Sequence, residues 1–365
     1  MNLGFDARML VGKWKHRGIG GYISSLLKPL EKDEIIGLVP NRQTIDEYKY
    51  ISKGFSFFPI WEQLLLPFYI NILNTKYFLY PSITAPIFNF KKAKKILIVY
   101  DLIFMIPFSK LPASRSMYNN FGRIYRRLIF PFVIKSADHI ISISEFTKNE
   151  LHNKFNIPLN KIYIIPCSIT TDWFVETIIP SSERKKYLIT VSGDAPSKNL
   201  YQVLKAMSIL KKQNSLNKFQ LRVVGIGSKS KRKYESILKK YDIENDVILE
   251  KFLSKIELQK LYSEAWASLS LSLYEGFGVP IVEAMASGTP VICSNTTSMP
   301  EVAGNSAILV NPNSLEDILN AIKNIINIDE DKRNIMAYNG FINASKYNES
   351  NVNFVIEGFW NTIKY

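Results

Sequence analysis

The sequence predicts two α/β domains in tandem, each a parallel sheet with helices on its faces. Three observations point there. Short apolar runs rich in β-branched residues recur along the chain, and stretches with helical spacing separate several of them. The length, 365 residues, also exceeds the roughly 100–200 of one ordinary domain. With 47% hydrophobic and 21% charged residues, the chain can fill such cores and lacks the composition of a disordered protein.

Taken in order, MNLGFDARML reads as a short buried strand with an acid at position 6, not as a charged segment leading into an apolar leader, so no secretory signal is expected. The uncharged stretches Gln63–Thr75 and Tyr77–Phe90 are broken by proline and fall short of the ~18–20 apolar residues a membrane span needs. Strands are expected at Ile96–Tyr100, His139–Ser144, Lys161–Pro166, Tyr187–Ser192, Gln220–Val224, Ala267–Leu273 and Pro290–Ser294, with helices at Leu200–Lys211 and Glu257–Ala265. The polar, proline-bearing stretch Asp172–Arg184 reads as a linker. It sets the expected domains at 1–180 and 181–347, with a cleft between them as the ligand site. Residues 348–365 carry apolar and aromatic side chains at helical spacing and are expected to pack back toward the first domain.

Composition excludes several chemistries. Cys167 and Cys293 form no CxxC or Cys/His pattern, and His16, His139 and His152 lack ligand spacing. Neither zinc nor thiol catalysis is expected, and no GxSxG marks a serine hydrolase. The acidic triplet Asp329–Asp331 reads as a helix cap, and no metal is assigned. The net charge is +14, and residues 1–180 hold most of it, with 23 Lys+Arg against 13 Asp+Glu. An anionic partner follows: phosphate-bearing ligands, an acidic membrane or nucleic acid. No RRM, KH or zinc pattern supports the last, and no nucleic-acid partner is expected. Within the cationic half, Phe108–Lys135 sets Arg123, Arg126 and Arg127 among aromatic residues, as a helix lying on an anionic membrane does. A core helix with a basic outer face reads the same way.

The densest signal is EGFGVPIVE, Glu275–Glu283. Gly276 and Gly278 open a turn after a strand, and Pro280 suits a first helical turn. Amides at such a helix start attract anions, here in the stretch Gly276, Phe277, Gly278 and Val279. Glu275 and Glu283 can face one pocket and accept hydroxyls of a bound sugar or ribose; alternatively, Glu275 caps the turn and Glu283 only supports the helix. Asp101 follows an apolar run at a strand's carboxyl end, where α/β folds place reactive groups, or else caps a helix.

This glutamate spacing resembles the donor motif of the retaining GT-B glycosyltransferases of family 4, group 1. RGIGGY (Arg17–Tyr22), YDLI (Tyr100–Ile103), SISEFTKNEL, IIPCSI, SKN (Ser197–Asn199) and SMPEVAG (Ser298–Gly304) resemble further words of that family in the same order, from Asn2 to about Tyr347. The resemblance implies a GT-B fold, two Rossmann-like α/β domains facing a central cleft. It also implies sugar transfer from a nucleoside-diphosphate sugar to a glycan with retained configuration, in O-antigen or capsule assembly. Lys198 becomes the diphosphate clamp, Gly18, Gly20 and Gly21 close over the donor, and Lys198, Glu275 and Asp101 form the catalytic set. Many relatives carry an arginine where Asp194 or Ser197 stands and a histidine where Tyr100 stands, so a catalytically weak partner subunit is the alternative.

No cofactor or metal is implied. Mannose from GDP-mannose, a polyprenyl-diphosphate-linked acceptor and an anionic membrane surface are the expected partners. The expected location is the cytoplasm, peripherally on the inner face of its membrane. A glycoside hydrolase would also use two carboxylates, but it has no need of a diphosphate clamp.

Overall fold

The structure is a computed structural model that describes residues 2–11, 18–41, 43–45, 47–88, 93–113 and 116–364. The chain divides into two compact units, the first comprising Met1–Pro107, Arg115–Ser168 and Ser350–Tyr365, the second Phe108–Ser114 and Ile169–Glu349.

The first unit holds strands β1 (Leu3–Asp6), β2 (Ile35–Val39), β3 (Lys49–Ser52), β4 (Tyr77–Tyr80), β5 (Lys94–Val99), β6 (His139–Ser142) and β7 (Ile162–Ile164). They form one parallel sheet in the order β3-β2-β1-β4-β5-β6-β7. Strands covered on both faces need continuous apolar runs, and β1 and β4 are buried at every position. The edge strand β3, KYIS, is partly exposed and carries no such run.

The second unit holds β8 (Tyr187–Val191), β9 (Gln220–Val224), β10 (Val247–Glu250), β11 (Ala267–Ser270), β12 (Val291–Ser294) and β13 (Ala307–Val310), parallel in the order β10-β9-β8-β11-β12-β13. In each sheet the strand order reverses once, between β1 and β4 and between β8 and β11. Loops leaving the carboxyl ends of the strands diverge there and open a crevice, the usual ligand position of doubly wound sheets.

The expected linker differs from what the structure holds. The passage between units lies at Ser168–Ile169, ahead of the expected 180, and residues 169–184 belong to the second unit. The reason is burial. Trp173 is packed away from solvent, Ser181 Oγ donates to Asn334 Oδ1 at 2.8 Å, and the buried Arg184 donates to the carbonyls of Ile179, Ala265 and Gly288. The C-terminal helix Glu349–Lys364 lies from Ser350 onward in the first unit. There the Trp360 indole donates to the Leu26 carbonyl at 2.7 Å and the Tyr77 hydroxyl to that of Ile363. Among the described residues, no helix is long and apolar enough to cross a membrane.

Candidate functional site

In the second unit, the loops leaving β8 and β11 flank the switch point, and each delivers one charged side chain. After β8 a short 3-10 turn, Pro196–Lys198, carries Lys198. The following Asn199 adopts the left-handed conformation (φ 58°), where an asparagine amide is tolerated, and donates to the Pro312 carbonyl at 2.8 Å. After β11 the chain reaches Glu275. Lys198 Nζ lies 2.7 Å from Glu275 Oε1, and Leu273 N–H donates to the Ser197 carbonyl at 2.7 Å, so the two loops are joined by backbone as well as by charge.

Glu275 is held on every side. Ser272 Oγ donates to its Oε1 at 2.6 Å, its N–H donates to Thr297 Oγ1 at 3.2 Å, and Ser298 Oγ is 2.9 Å from each of the Glu275 and Phe277 carbonyls. The SMPEVAG segment thus braces the glycine turn. Gly278 sits at φ 110° as N-cap of the helix Val279–Ala286, with Pro280 in its first turn. A Cβ on Gly278 would stand 3.1 Å from Ile281 Cδ1 in a conformation side-chain-bearing residues avoid, so glycine is required. Ile281 N–H is already turned back to the Gly278 carbonyl at 2.9 Å. Helix geometry leaves the amides ahead of it facing outward, and the helix dipole adds partial positive charge at that end.

Glu283 lies one turn further on the same helix and is half-buried. Burial pushes its carboxyl up to about 7, against the opposing pull of Lys198 and Lys255. Lys198 thus contacts Glu275 and lies within electrostatic reach of Glu283. The buried Tyr262 ring also senses Glu283, and its hydroxyl has no hydrogen-bond partner. Sequence reasoning missed Lys255. It opens the helix Lys255–Glu264, pairs with Asp172 and Thr170, and lies 5.7 Å from the centre of the Trp173 ring. The Ser254/Glu257 capping box was its only local signal. Asp194 accepts from Ser230 Oγ at 2.5 Å and Tyr234 OH at 3.0 Å, with Lys233 Nζ 3.6 Å away. Asp329 caps the helix Glu330–Ser345, accepting from Asp331 N–H at 3.0 Å. Among the described residues no cluster of three His, Cys, Asp or Glu is placed to hold a metal.

In the first unit, three of the quoted words converge. Tyr22 OH donates to the Ile165 carbonyl at 2.9 Å, and its ring meets Tyr100 edge-on at 5.6 Å. Burial and the nearby Cys167 raise the Tyr22 and Tyr100 hydroxyl pKa values. The glycine word differs from expectation. Gly18, Gly20 and Gly21 form the first turns of the helix Gly18–Leu27 and do not precede it as a loop, while Arg17 lies outside the described residues. A Cβ at Gly18 or Gly21 would meet nothing within 4 Å, so packing does not explain either glycine. Asp101 accepts from Ile103 N–H at 2.9 Å, one residue ahead of Leu102, the N-cap of the turn Ile103–Met105, and keeps partial exposure. Also unforeseen is a buried polar network beside β1. Arg8 pairs with Asp6 and reaches Glu62 at 3.8 Å, while Thr84 and Tyr125 hydroxyls donate to Glu62 at 2.8 Å each. Burial pushes Glu62 to about 7 against the pull of Arg8.

Two of the three helix arginines, Arg123 and Arg127, have a partner within the fold. The helix begins at Met117, capped by Ser116, and Arg123 and Arg127 both donate to the Ile106 carbonyl, Arg127 at 2.6 Å. The exposed face of this helix is apolar: Met117, Phe121, Ile124, Leu128 and Phe132 recur at helical spacing, and Leu64, Phe68 and Ile72 of the helical run that spans Phe58–Ile60, Trp61–Leu65 and Leu66–Ile72 are exposed as well.

Two doubly wound units of this topology define the GT-B class. The solved structure of Anabaena Alr3699/HepE in complex with UDP and glucose shares the fold at a TM-score of 0.70 and 14% identity, covering 100% of this chain and 99% of that one. Residues 24–173 match the model described as Glycosyltransferase Family 4, and residues 173–342 that described as Glycosyl transferases group 1. The chain belongs to the group 1, family 4 glycosyltransferases. Curated relatives include the O-antigen chain mannosyltransferase RfbU of Salmonella typhimurium, 29% identical over 56% of this chain and 55% of the relative. The O-antigen chain mannosyltransferase B of Escherichia coli is 26% identical over 60% and 59%. The chain spans a little over half the length of these curated relatives.

Proposed function

We propose that this protein is a retaining glycosyltransferase that moves mannose from GDP-mannose to a hydroxyl of a growing surface glycan carried on a lipid diphosphate. One observation carries the reading: the 2.7 Å contact of Lys198 with Glu275 at the β8/β11 switch point, directly before the helix start at Gly278. An ammonium has three donors, and Glu275 takes one, leaving others for a diphosphate in front of the Gly276–Val279 amides. As the sugar–phosphate bond breaks, charge grows on the leaving diphosphate. Preorganised amides and Lys198 stabilise that charge more than the ground state. Glu275 and Glu283 hold hydroxyls of sugar and ribose, and Gly18 and Gly21, with open space where a Cβ would stand, leave the helix start accessible to the donor, while Gly20 is buried beneath them. Asp101 lies on the acceptor side.

No protein nucleophile is invoked. The acceptor hydroxyl attacks on the face the diphosphate leaves, and a phosphate oxygen takes its proton. No metal is invoked either, since amides and lysine meet the anion. The mannosyl assignment draws support from the two O-antigen mannosyltransferase relatives. The protein works peripherally at an anionic membrane, on its cytoplasmic face, and the exposed apolar helix face supports that placement.

The test is a thermal-shift screen against UDP, GDP, TDP and CMP. A nucleotide at 100 times its Kd adds about 2.7 kcal/mol of stability. GDP should give the largest shift. No shift with any nucleoside diphosphate would remove the donor site.

A further inference from the structure

The first unit contains a cavity of about 150 Å³ that none of the residues discussed for sugar transfer occupies. Its walls include Met9, Phe57, Phe58 and Phe121, and its polar side chains are Ser82, Tyr118, Asn119 and Arg126. Ser82 is 9% exposed and its Oγ has no hydrogen-bond partner, while the Arg126 guanidinium makes no hydrogen bond or ion pair among the described residues. Its neighbours Arg123 and Arg127 each donate through Nη2 to the Ile106 carbonyl.

The guanidinium is folded over Gly122, whose missing side chain leaves the space: a Cβ there would lie 3.4 Å from Arg126 Nη1. A glycine within a helix costs about 1 kcal/mol relative to alanine, so the opening is held against local preference. Partial burial lowers the guanidinium pKa, with Asp101 the largest opposing influence, so a half-buried cation lies within electrostatic reach of the residue placed on the acceptor side. Charge around the cavity is one-sided. No acidic residue occurs between Leu102 and Ala137, and the only one between Lys53 and Lys76 is the buried Glu62.

We propose that this cavity binds the phosphate of an amphiphile and the first units of its apolar chain, namely the phosphate-bearing end of the lipid-linked acceptor. This deepens the proposed function and rests on its lipid-linked acceptor. Arg126 and Ser82 take phosphate oxygens, and the Phe57, Phe58 and Phe121 rings take the chain. A cavity of this size holds only a fraction of a long chain. The remainder has an exit over the exposed side chains of Phe121, Leu128 and Phe132 on the same helix.

Calorimetry on the full chain tests this, with farnesyl phosphate as probe and farnesol, inorganic diphosphate and dihexanoyl phosphatidylglycerol as comparisons. Farnesyl phosphate should bind more tightly than all three. Arg126→Gln should weaken it about tenfold, the size of a lost charge-assisted contact. Gly122→Leu should block it by filling the cavity, and GDP affinity should stay unchanged in both variants. Equal binding of farnesol, or undiminished affinity in both variants, would overturn the site. Equal binding of the phosphatidylglycerol would overturn the acceptor assignment in favour of a bilayer headgroup. If GDP binds and farnesyl phosphate does not, only the cavity proposal falls, whereas absent GDP binding strikes the donor reading.

Discussion

Lys198 and Glu275, 77 positions apart in sequence, meet at 2.7 Å because each follows one of the two strands that flank the reversal of strand order in the second sheet. Removing the cation leaves Glu275 without its ion-pair partner and takes away one of the two lysines that act on Glu283. Lys198→Ala should therefore weaken nucleoside-diphosphate binding by about 1.5–3 kcal/mol, and Glu283→Ala should weaken it through lost hydroxyl contacts. Calorimetry showing wild-type affinity in both folded variants would remove the site.

Glu283 also predicts a pH dependence. Its native pKa, about 7, lies above its ordinary 4.5, so the native state holds more protons than the unfolded state between those values. Stability contributed by the protonated form is complete below about pH 4.5 and is lost as pH rises through 7. Urea unfolding at pH 5 and pH 8 should give a larger stability difference for the wild type than for Glu283→Gln. Equal differences would place the carboxyl in ordinary solvent. Glu62, also near 7, adds the same sign of slope and should remain in the variant.

At Gly278 the backbone leaves little freedom. Gly278→Ala places a Cβ at φ 110° and 3.1 Å from Ile281 Cδ1, so it should cost about 1–3 kcal/mol of stability. The amides it displaces are those assigned to the diphosphate, so turnover should fall as well. A variant with wild-type unfolding and turnover would show that the turn does not need glycine.

Membrane contact should depend on apolar side chains more than on Arg123 and Arg127. In flotation with anionic liposomes, Leu64→Ser, Phe68→Ser and Phe132→Ser combined should release the protein. Arg123→Gln and Arg127→Gln should leave it bound unless the helix is disturbed. Release by the arginine pair and retention of the apolar triple would restore the basic-face reading.

Much of this was legible in the sequence because the informative features are local. The Gln220–Val224 strand, the glycine turn and the Pro280 helix start all declare themselves within a few residues. What was not legible depends on distant partners. Three arginines in one helix look alike until the Ile106 carbonyl, 17 residues before Arg123, claims two of them and leaves Arg126 in a cavity. The β3 edge strand and the Asp172–Arg184 segment were misjudged for opposite reasons: one is too polar to read as a strand, the other polar in sequence yet tied down by buried Trp173 and Arg184. Lys255 reads as an ordinary surface lysine until burial of Glu283 gives it a carboxylate to face.

Retained transfer without a metal is the central claim, and the product's anomeric configuration tests it most directly. Proton NMR of the glycan formed from GDP-α-mannose in the presence of EDTA should show an α-linked mannose, with GDP released in equal amount. A β-linked product, or turnover that EDTA abolishes and magnesium restores, would contradict the account.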